Sequence, residues 1–311
     1  MYESKGDTTY MAKIDKIYNN LIKNVIKKGK WDEPGRPRWE DGTPALTKSL
    51  LNAQIKFDNS KEIGLLTTKR VPMKDPIAEL FWIWKHKSNN VDFLRNELKC
   101  KVWNEWQKDD DTIGKAYGWQ LANKWRKVKL SHELMLMLEK KQLSKIRKIE
   151  NGFAYLDQVD YLIYTLKTNP NSRRIKTTLW CVEDLDDMAL EPCVYETHWQ
   201  YWDDKLNLTV NVRSNDLGLG NPYNVYQYAI LHRLIAQVTG HEVGEICFNI
   251  DNAHVYDRHI EPLAEQIQRE TYEAPQVWIN PAIKSFYDFE LSDIVISDYV
   301  HGKRVPLEVA I

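Results

Sequence analysis

Hydrophobic residues recur along this chain with different periods, and each period predicts an element. Between Met11 and Lys28 the positions Ile14, Ile17, Tyr18, Leu21 and Val25 fall on one helical face, and Gly29 stands where a helix C-terminus favours glycine. From Lys205 to Arg213 the alternation is strict. Leu206, Leu208, Val210 and Val212 share one face, and Asn207, Thr209, Asn211 and Arg213 share the other, which predicts a half-buried strand. LTKSLLNAQIKFD (46–58) and IGLLTTKRV (63–71) read as strands across a polar turn. EICFNIDNAHVY (245–256) reads as another, with His254 and Tyr256 on one face. Asp75 to Lys87 is apolar almost all round except for Glu79, the pattern of a buried helix opening at Pro76. A Gly-rich loop, SNDLGLGNP, precedes a helix from Tyr223 to about Thr239, closed by Gly240. Residues 122–150 form a basic, helix-like stretch, and Trp31 to Pro44 reads as a loop carrying Arg36 and Arg38. Long helices mixed with antiparallel-type strands predict an α+β domain.

Charge changes this picture by exclusion. With 43 basic and 44 acidic residues in 311, the formal net charge is −1, which leaves no global footprint for nucleic acid or an anionic membrane. Anion recognition must come from local arginines: Arg36, the SRR pair Arg173 and Arg174, and Arg213 beside Ser214. Most Arg-Arg pairs are surface ion-pair partners, so the pair alone decides nothing. The GLG loop matches neither a Walker A loop nor a dinucleotide fingerprint. No stretch approaches the ~20 apolar residues that span a bilayer. The polar N-terminus lacks a signal-peptide core, so a cytoplasmic protein with reduced thiols is expected.

The four cysteines, Cys100, Cys181, Cys193 and Cys247, show neither disulfide-scaffold nor metal-ligand spacing, so no metal is expected. Cys193, in ALEPCVYETHW, is by residue type packing material first and nucleophile second. Glu79 reads either as a surface acid or as a buried carboxyl whose raised pKa suits proton transfer. Asn224 reads either as a helix cap or as a reader of an amide-like base edge. Together a free cysteine, an arginine able to lower its pKa, a buried glutamate and several phosphate-binding candidates fit nucleophilic catalysis on a phosphorylated small molecule.

Taken in order, SRR, EPC, RSNDLGLGNPYN, NAHVY and the terminal VAI resemble the folate-dependent thymidylate synthases. DGTPALT, LLTTKR, AELFWIW, VWNEW and GKAYG extend the resemblance from about Tyr18 to Ile311. CVYET resembles the bacillus-type branch in having no histidine after the cysteine. The resemblance implies one catalytic domain over 1–311, with a helical insertion at about 124–150. It implies a mixed sheet packed by helices, one sheet face forming a two-fold homodimer interface. It further implies reductive methylation of dUMP to dTMP, with 5,10-methylenetetrahydrofolate as one-carbon and hydride donor. In that reading Cys193 is the nucleophile toward C6 of the pyrimidine, Glu79 organises proton transfer, and Tyr117 takes part in it. Arg36, Arg213 and Ser214 bind phosphate, and Arg173 and Arg174 reach into the other subunit's site. Asn224 reads the pyrimidine edge, and His254 and Tyr256 contact the ribose hydroxyl. For the folate, Asp216 binds the pterin, Trp103, Trp106, Leu219, Gly220 and Tyr223 wall it, and Lys69 contacts the glutamate tail. Ala310 and Ile311 lie in a closing C-terminal tail.

Two departures stand out. Asn104 and Asn252 carry amides where the family has aspartates, and Asp251 replaces a glycine, so the backbone there is expected either to be strained or to be relieved by aspartate's tolerance of the left-handed conformation. They keep a dUMP hydroxymethylase, with water capturing the one-carbon unit, as an alternative. Cytosine-specific members carry aspartate at the position of Asn224, so Asn224 implies uracil. A non-catalytic regulatory protein on the same fold is the reading from a different class.

Overall fold

The computed structural model describes residues 12–32, 35 and 37–310, and its framework is a six-stranded mixed sheet. The spatial order is β1 (Lys30–Trp31), β2 (Thr47–Asp58), β9 (Glu242–Tyr256), β8 (Lys205–Asp216), β7 (Val194–Trp202) and β6 (Lys176–Thr178). Every pairing is antiparallel except β8 with β9, where Val210 faces Phe248, Val212 faces Ile250 and Asp216 faces His254. A parallel pair needs a crossover, and helix α7 (Gly220–Thr239) supplies it. The helix buries almost every side chain from Val225 to Val238 against the apolar face of the sheet. At such positions Leu→Ala costs about 2–5 kcal/mol.

The strict alternation of β8 holds: Leu206, Leu208, Val210 and Val212 are buried. The strand continues through Asp216, past the point where a loop is expected. Its polar face carries a ladder across the sheet, from Gln54 to Asn249 (3.1 Å), Asn249 to Asn211 (3.0 Å) and Asn211 to Glu196 (2.8 Å).

Helix α1 (Lys13–Lys28) buries Ile14, Tyr18, Ile22 and Val25. Gly29 follows it, though not in the left-handed conformation of a usual helix stop. Its φ is −62°, and glycine is needed because a Cβ would lie 2.5 Å from the Val25 carbonyl oxygen. Gly240, by contrast, ends α7 in the left-handed region at φ +78°.

Residues 63–71, expected as a strand, pair with no neighbour. Their amides turn instead to the buried carboxylate of Asp15, which accepts from the Thr67 and Thr68 N–H groups at 3.0–3.1 Å and from both hydroxyls. The predicted buried helix is present as α2 (Lys74–Leu80), continuing into a π-helical turn at Phe81–Lys85. Such a turn, beginning two residues beyond Glu79, is of the kind that collects at functional sites.

Helix α3 (Val91–Asn96) and α4 (Gly118–Asn123) lead into the basic stretch, which departs most from expectation. Only α5 (His132–Glu139) within 124–150 is helical. A three-stranded sheet surrounds it, β3 (Arg126–Lys129), β5 (Phe153–Leu156) and β4 (Lys148–Glu150) in that order. Pairing of Arg126–Lys129 with Phe153–Leu156 uses a partner outside the stretch, so local pattern could not announce it. Helix α6 (Gln158–Thr168) ties this unit down. Its N-cap Asp157 accepts from Lys87 and Arg147, both at 2.7 Å, and Asp160 accepts from Ser144 and Tyr287. Helix α8 (Ile260–Gln266) and the hairpin β10 (Gln276–Ile279) with β11 (Ile294–Ser297) complete the described chain.

Glu62 accepts from the Ile14 N–H at 3.1 Å, capping the first turn of α1. Burial pushes its carboxyl up to about 7, against the Ile14 amide and with Asp15 nearby, and its second oxygen has no partner. The folded chain therefore holds a proton that the unfolded chain releases above its ordinary pKa. This contribution to stability is full in acid and is lost as pH rises through about 7. Glu62→Gln is expected to remove roughly 3 kcal/mol of that pH dependence, read from urea midpoints at pH 5 and pH 8. Parallel pH dependence in the two proteins would refute it.

Candidate active site

Cys193 sits immediately before β7, and two hydrogen bonds and a register shift fix it. Its carbonyl accepts from the Arg213 N–H at 2.9 Å, its N–H donates to the Tyr117 hydroxyl at 3.2 Å, and the β7–β8 register shifts between Val194 and Glu196. Arg213 reaches back from β8 to the carbonyls of Pro192 (3.1 Å) and Glu191 (2.8 Å), holding the segment that carries the thiol. Burial pushes the Cys193 thiol above its usual value. Arg213 pulls the other way without prevailing, so the thiol lacks the lowered pKa expected of it.

The thiol borders a cavity of ≈170 Å³ with Glu79, Trp103, Trp106, Tyr117, Asn224 and Gln227. Glu79 is half-buried toward that space. Burial raises its carboxyl above the usual range, opposed by two donors: the Trp103 indole N–H (2.5 Å) and the Gln227 amide (2.7 Å). Hydrogen bonds to a charged acceptor are worth roughly 1.5–3 kcal/mol each, so the pair keeps ionisation within reach. Tyr117 has φ +46° and ψ −106°, a rare backbone for a bulky residue that costs about 1–3 kcal/mol. It aims the hydroxyl at Cys193, while its ring packs edge-on to Trp103 at 5.0 Å.

Glu79, Trp106 and Asn224 also line a second cavity of ≈590 Å³, together with Lys69, Leu219, Gly220 and Tyr223. Val305, Leu307 and Val309 of the C-terminal tail form another wall, with Arg70, Lys101 and Arg304 among its cations. The loop 217–219 on its floor is fastened at every backbone position. Asp216 accepts from the Gly218 and Leu219 N–H groups (2.8 and 3.2 Å), Tyr18 donates to Leu217 O (2.7 Å), and Lys69 donates to Gly218 O (2.6 Å). Lys69, expected to contact the folate's glutamate tail, is largely buried with its ammonium on the Gly218 carbonyl, and burial lowers its pKa to about 8. Asn224 lies inside α7, whose N-cap is Leu219, so it is not a helix cap.

The remaining candidates lie farther out. Ser214 pairs with Asn252 on β9, and buried His254 donates from Nδ1 to Asn252 Oδ1 (3.0 Å) with its ring edge-on to Tyr256 at 5.5 Å. Arg173 and Arg174 are exposed and line neither cavity. Arg173 instead borders a larger hollow of ≈640 Å³ on the polar sheet face, away from the thiol. Ala310 is half-buried in the tail, while Arg36 and Ile311 lie outside the described residues. Asp251 is an exposed strand residue outside the left-handed region, so it shows neither the strain nor the left-handed relief considered for it, and Asn104 accepts from Arg95 at 3.4 Å.

Other residues at the site carry no motif of their own. Gln227 could have been found from its spacing, one helical turn past Asn224. Arg258 could not: it stacks on Trp39 (4.9 Å), donates to Asp41 (2.6 Å) and grips Glu308 in the tail (2.9 and 3.2 Å). His259 donates to the Glu308 carbonyl at 2.8 Å. Among the described residues no cluster of three or more His, Cys, Asp or Glu could hold a metal ion, and no helix is long and apolar enough to cross a membrane.

A thiol, a half-buried carboxyl and an amide around one small cavity, beside an apolar cleft beneath a tail, form a site able to support nucleophilic catalysis. The family model described as thymidylate synthase matches residues 16–311. A thymidylate synthase of Bacillus mojavensis is 49% identical over 304 residues, covering 97% of this chain and all of that one. That of Bacillus phage phi3T is 48% identical with the same coverage. The solved thermostable thymidylate synthase A from Bacillus subtilis superposes with a TM-score of 0.84 at 48% identity, covering 96% of this chain and 99% of that chain. The chain belongs to the thymidylate synthase family. It is a methyl-transferring enzyme, and the hydroxymethylating alternative finds no support among these relatives.

The Arg258 clamp has a measurable consequence. Arg258→Ala is expected to speed amide hydrogen exchange at 305–310 roughly three- to tenfold, since two partly exposed ion pairs are lost. Unchanged exchange there would mean the tail is held without it.

Proposed function

We propose that the chain converts dUMP to dTMP through a covalent Cys193–C6 adduct, with 5,10-methylenetetrahydrofolate as cosubstrate. The observation that carries this reading is that Cys193, Glu79 and Asn224 border one ≈170 Å³ cavity, two of them shared with the ≈590 Å³ cleft. The cleft fits the folate: Trp106, Leu219, Tyr223 and Leu307 offer a flat apolar slot, and Lys101 and Arg304 suit an anionic tail. When bound there, the folate supplies a one-carbon unit and a hydride.

The chain's own residues do the rest. The Cys193 thiolate forms a bond to C6, the C5–C6 π electrons move toward C5 and O4, and the charge is met at O4 by the Asn224 amide N–H. Glu79, ionised with the help of Trp103 and Gln227, takes up and returns protons at the pyrimidine. Tyr117 holds the Cys193 backbone so that the sulfur meets the ring face. Arg36, Arg213 and Ser214 are proposed phosphate ligands, and His254 and Tyr256 ribose ligands. Asp216, Trp103, Gly220 and Lys69 act on the folate side, directly or by shaping the 217–219 loop. Ala310 and the tail exclude water.

Arg173 and Arg174, exposed on the side of the polar sheet face, suit donation to a second copy's phosphate site, so a homodimer is part of the proposal. A cytoplasmic location and a single catalytic domain fit this reading as well.

Mixing protein, dUMP and methylenetetrahydrofolate is expected to yield dTMP and dihydrofolate in equal amounts, by mass spectrometry and absorbance. Cys193→Ala is expected to lose at least ~10⁴-fold in kcat while still binding dUMP. A 5-hydroxymethyl product without dihydrofolate, or an active Cys193→Ala, would sink the mechanism. Gln227→Leu removes a donor to ionised Glu79, so the acid limb of the pH–kcat profile is expected to move to higher pH, with kcat down about tenfold. An unmoved limb would show that Gln227 does not tune Glu79.

A further inference from the structure

Asn224 does not stand alone. Behind it lie two more asparagines, Asn215 at the end of β8 and Asn221 in the first turn of α7, each only 2% exposed. Asn221 Nδ2 donates to Asn215 Oδ1 at 2.6 Å, and Asn215 Nδ2 donates to Asn224 Oδ1 at 3.2 Å. The three amides form a single file in which every donor points the same way, from Asn221 toward the cavity.

A carboxamide has one accepting and one donating end, so a file of this kind has a direction. With its Oδ1 committed to Asn215, Asn224 keeps its NH2 as the end available to a bound ring. Turning Asn224 over would set its NH2 against the NH2 of Asn215. A second donor set against the buried Asn215 donor disfavours that state on the order of ten- to a hundredfold. The direction cannot reverse locally, because Asn215 is itself held by the donor of Asn221.

We propose that Asn215 is a specificity-positioning residue. It fixes the donor polarity of Asn224, anchored by Asn221, and so makes the site select a 4-keto pyrimidine nucleotide over its 4-amino analogue. This rests on the reading above that Asn224 faces the pyrimidine edge. A 4-keto oxygen accepts from the NH2 that the file presents, whereas a 4-amino group would meet it donor to donor.

The test reverses the file without touching Asn224. In Asn215→Asp the carboxylate only accepts, from Asn221 on one side and Asn224 on the other. That draws the Asn224 NH2 backward and turns its Oδ1 toward the ring. In Asn221→Asp the new carboxylate turns Asn215 around, with the same result one step further on. The ratio of dUMP to dCMP affinity, measured by equilibrium dialysis on the full chain, is expected to fall at least tenfold in Asn215→Asp and in the same direction in Asn221→Asp. A thermal melt confirms folding, and if Asn215→Asp does not fold, Asn221→Asp carries the comparison. A purely structural role would weaken both nucleotides by one factor and leave the ratio unmoved. A folded variant with the wild-type ratio overturns the proposal alone. A wild-type chain that binds no dUMP overturns the functional reading and the proposal with it.

Discussion

The parallel pairing of β8 with β9 is the constraint on which the site depends. In a parallel pair both strands end on the same side, and the crossover helix starts beside the end of the first strand. Arg213, Ser214 and Asp216 at the end of β8, Asn224 at the start of α7, and His254 and Tyr256 at the end of β9 are therefore gathered at one rim. The antiparallel partner β7 begins there too, and Cys193 precedes it. Helix α7 lies on this pair with nearly its whole circumference buried, so core packing and site assembly are the same event.

Around that rim, polar groups are buried and then answered. Glu79 lies at the boundary of an apolar helix, where burial favours its neutral form, yet Trp103 and Gln227 both donate to its carboxylate. The opposition leaves a carboxyl able to carry either charge state, which is what a proton carrier requires. Half-buried Asp216 and buried Lys69 serve another purpose: they hold the amide and carbonyl groups of the 217–219 loop, which bounds the cleft.

Direction matters as much as position. A thiol, a carboxyl and an amide in one cavity do not by themselves choose a substrate, because an amide can present either end. The buried Asn221–Asn215–Asn224 file gives that amide a sense, just as Tyr117 gives the Cys193 backbone one through an uncommon φ. At the far end of the cleft, Arg258 joins Asp41 near the N-terminal loop to Glu308 in the tail, linking segments more than 250 residues apart in sequence.

Much of this was legible in the residues themselves. The alternation of Leu206 to Val212 determined a strand with one buried face, because side chains alternate along an extended backbone. The apolar run around Glu79 determined a buried helix, and the ordered motifs around Cys193, Arg213 and Asn224 determined the family. Short-range pattern could not supply interactions between distant segments. IGLLTTKRV has strand composition, but Asp15 takes the amides of Thr67 and Thr68 that a ladder would have used. The lysine-rich 124–150 stretch has helical composition, but Arg126–Lys129 finds its partner at Phe153–Leu156. Lys69 and Cys193 have chemistry that composition suggests, yet burial lowers the pKa of one and raises that of the other. The sequence by itself determined the family and the candidate residues for its chemistry. Only the tertiary structure decided their charge state, their orientation and their partners, since desolvation and hydrogen-bond direction arise between segments that sequence order leaves far apart.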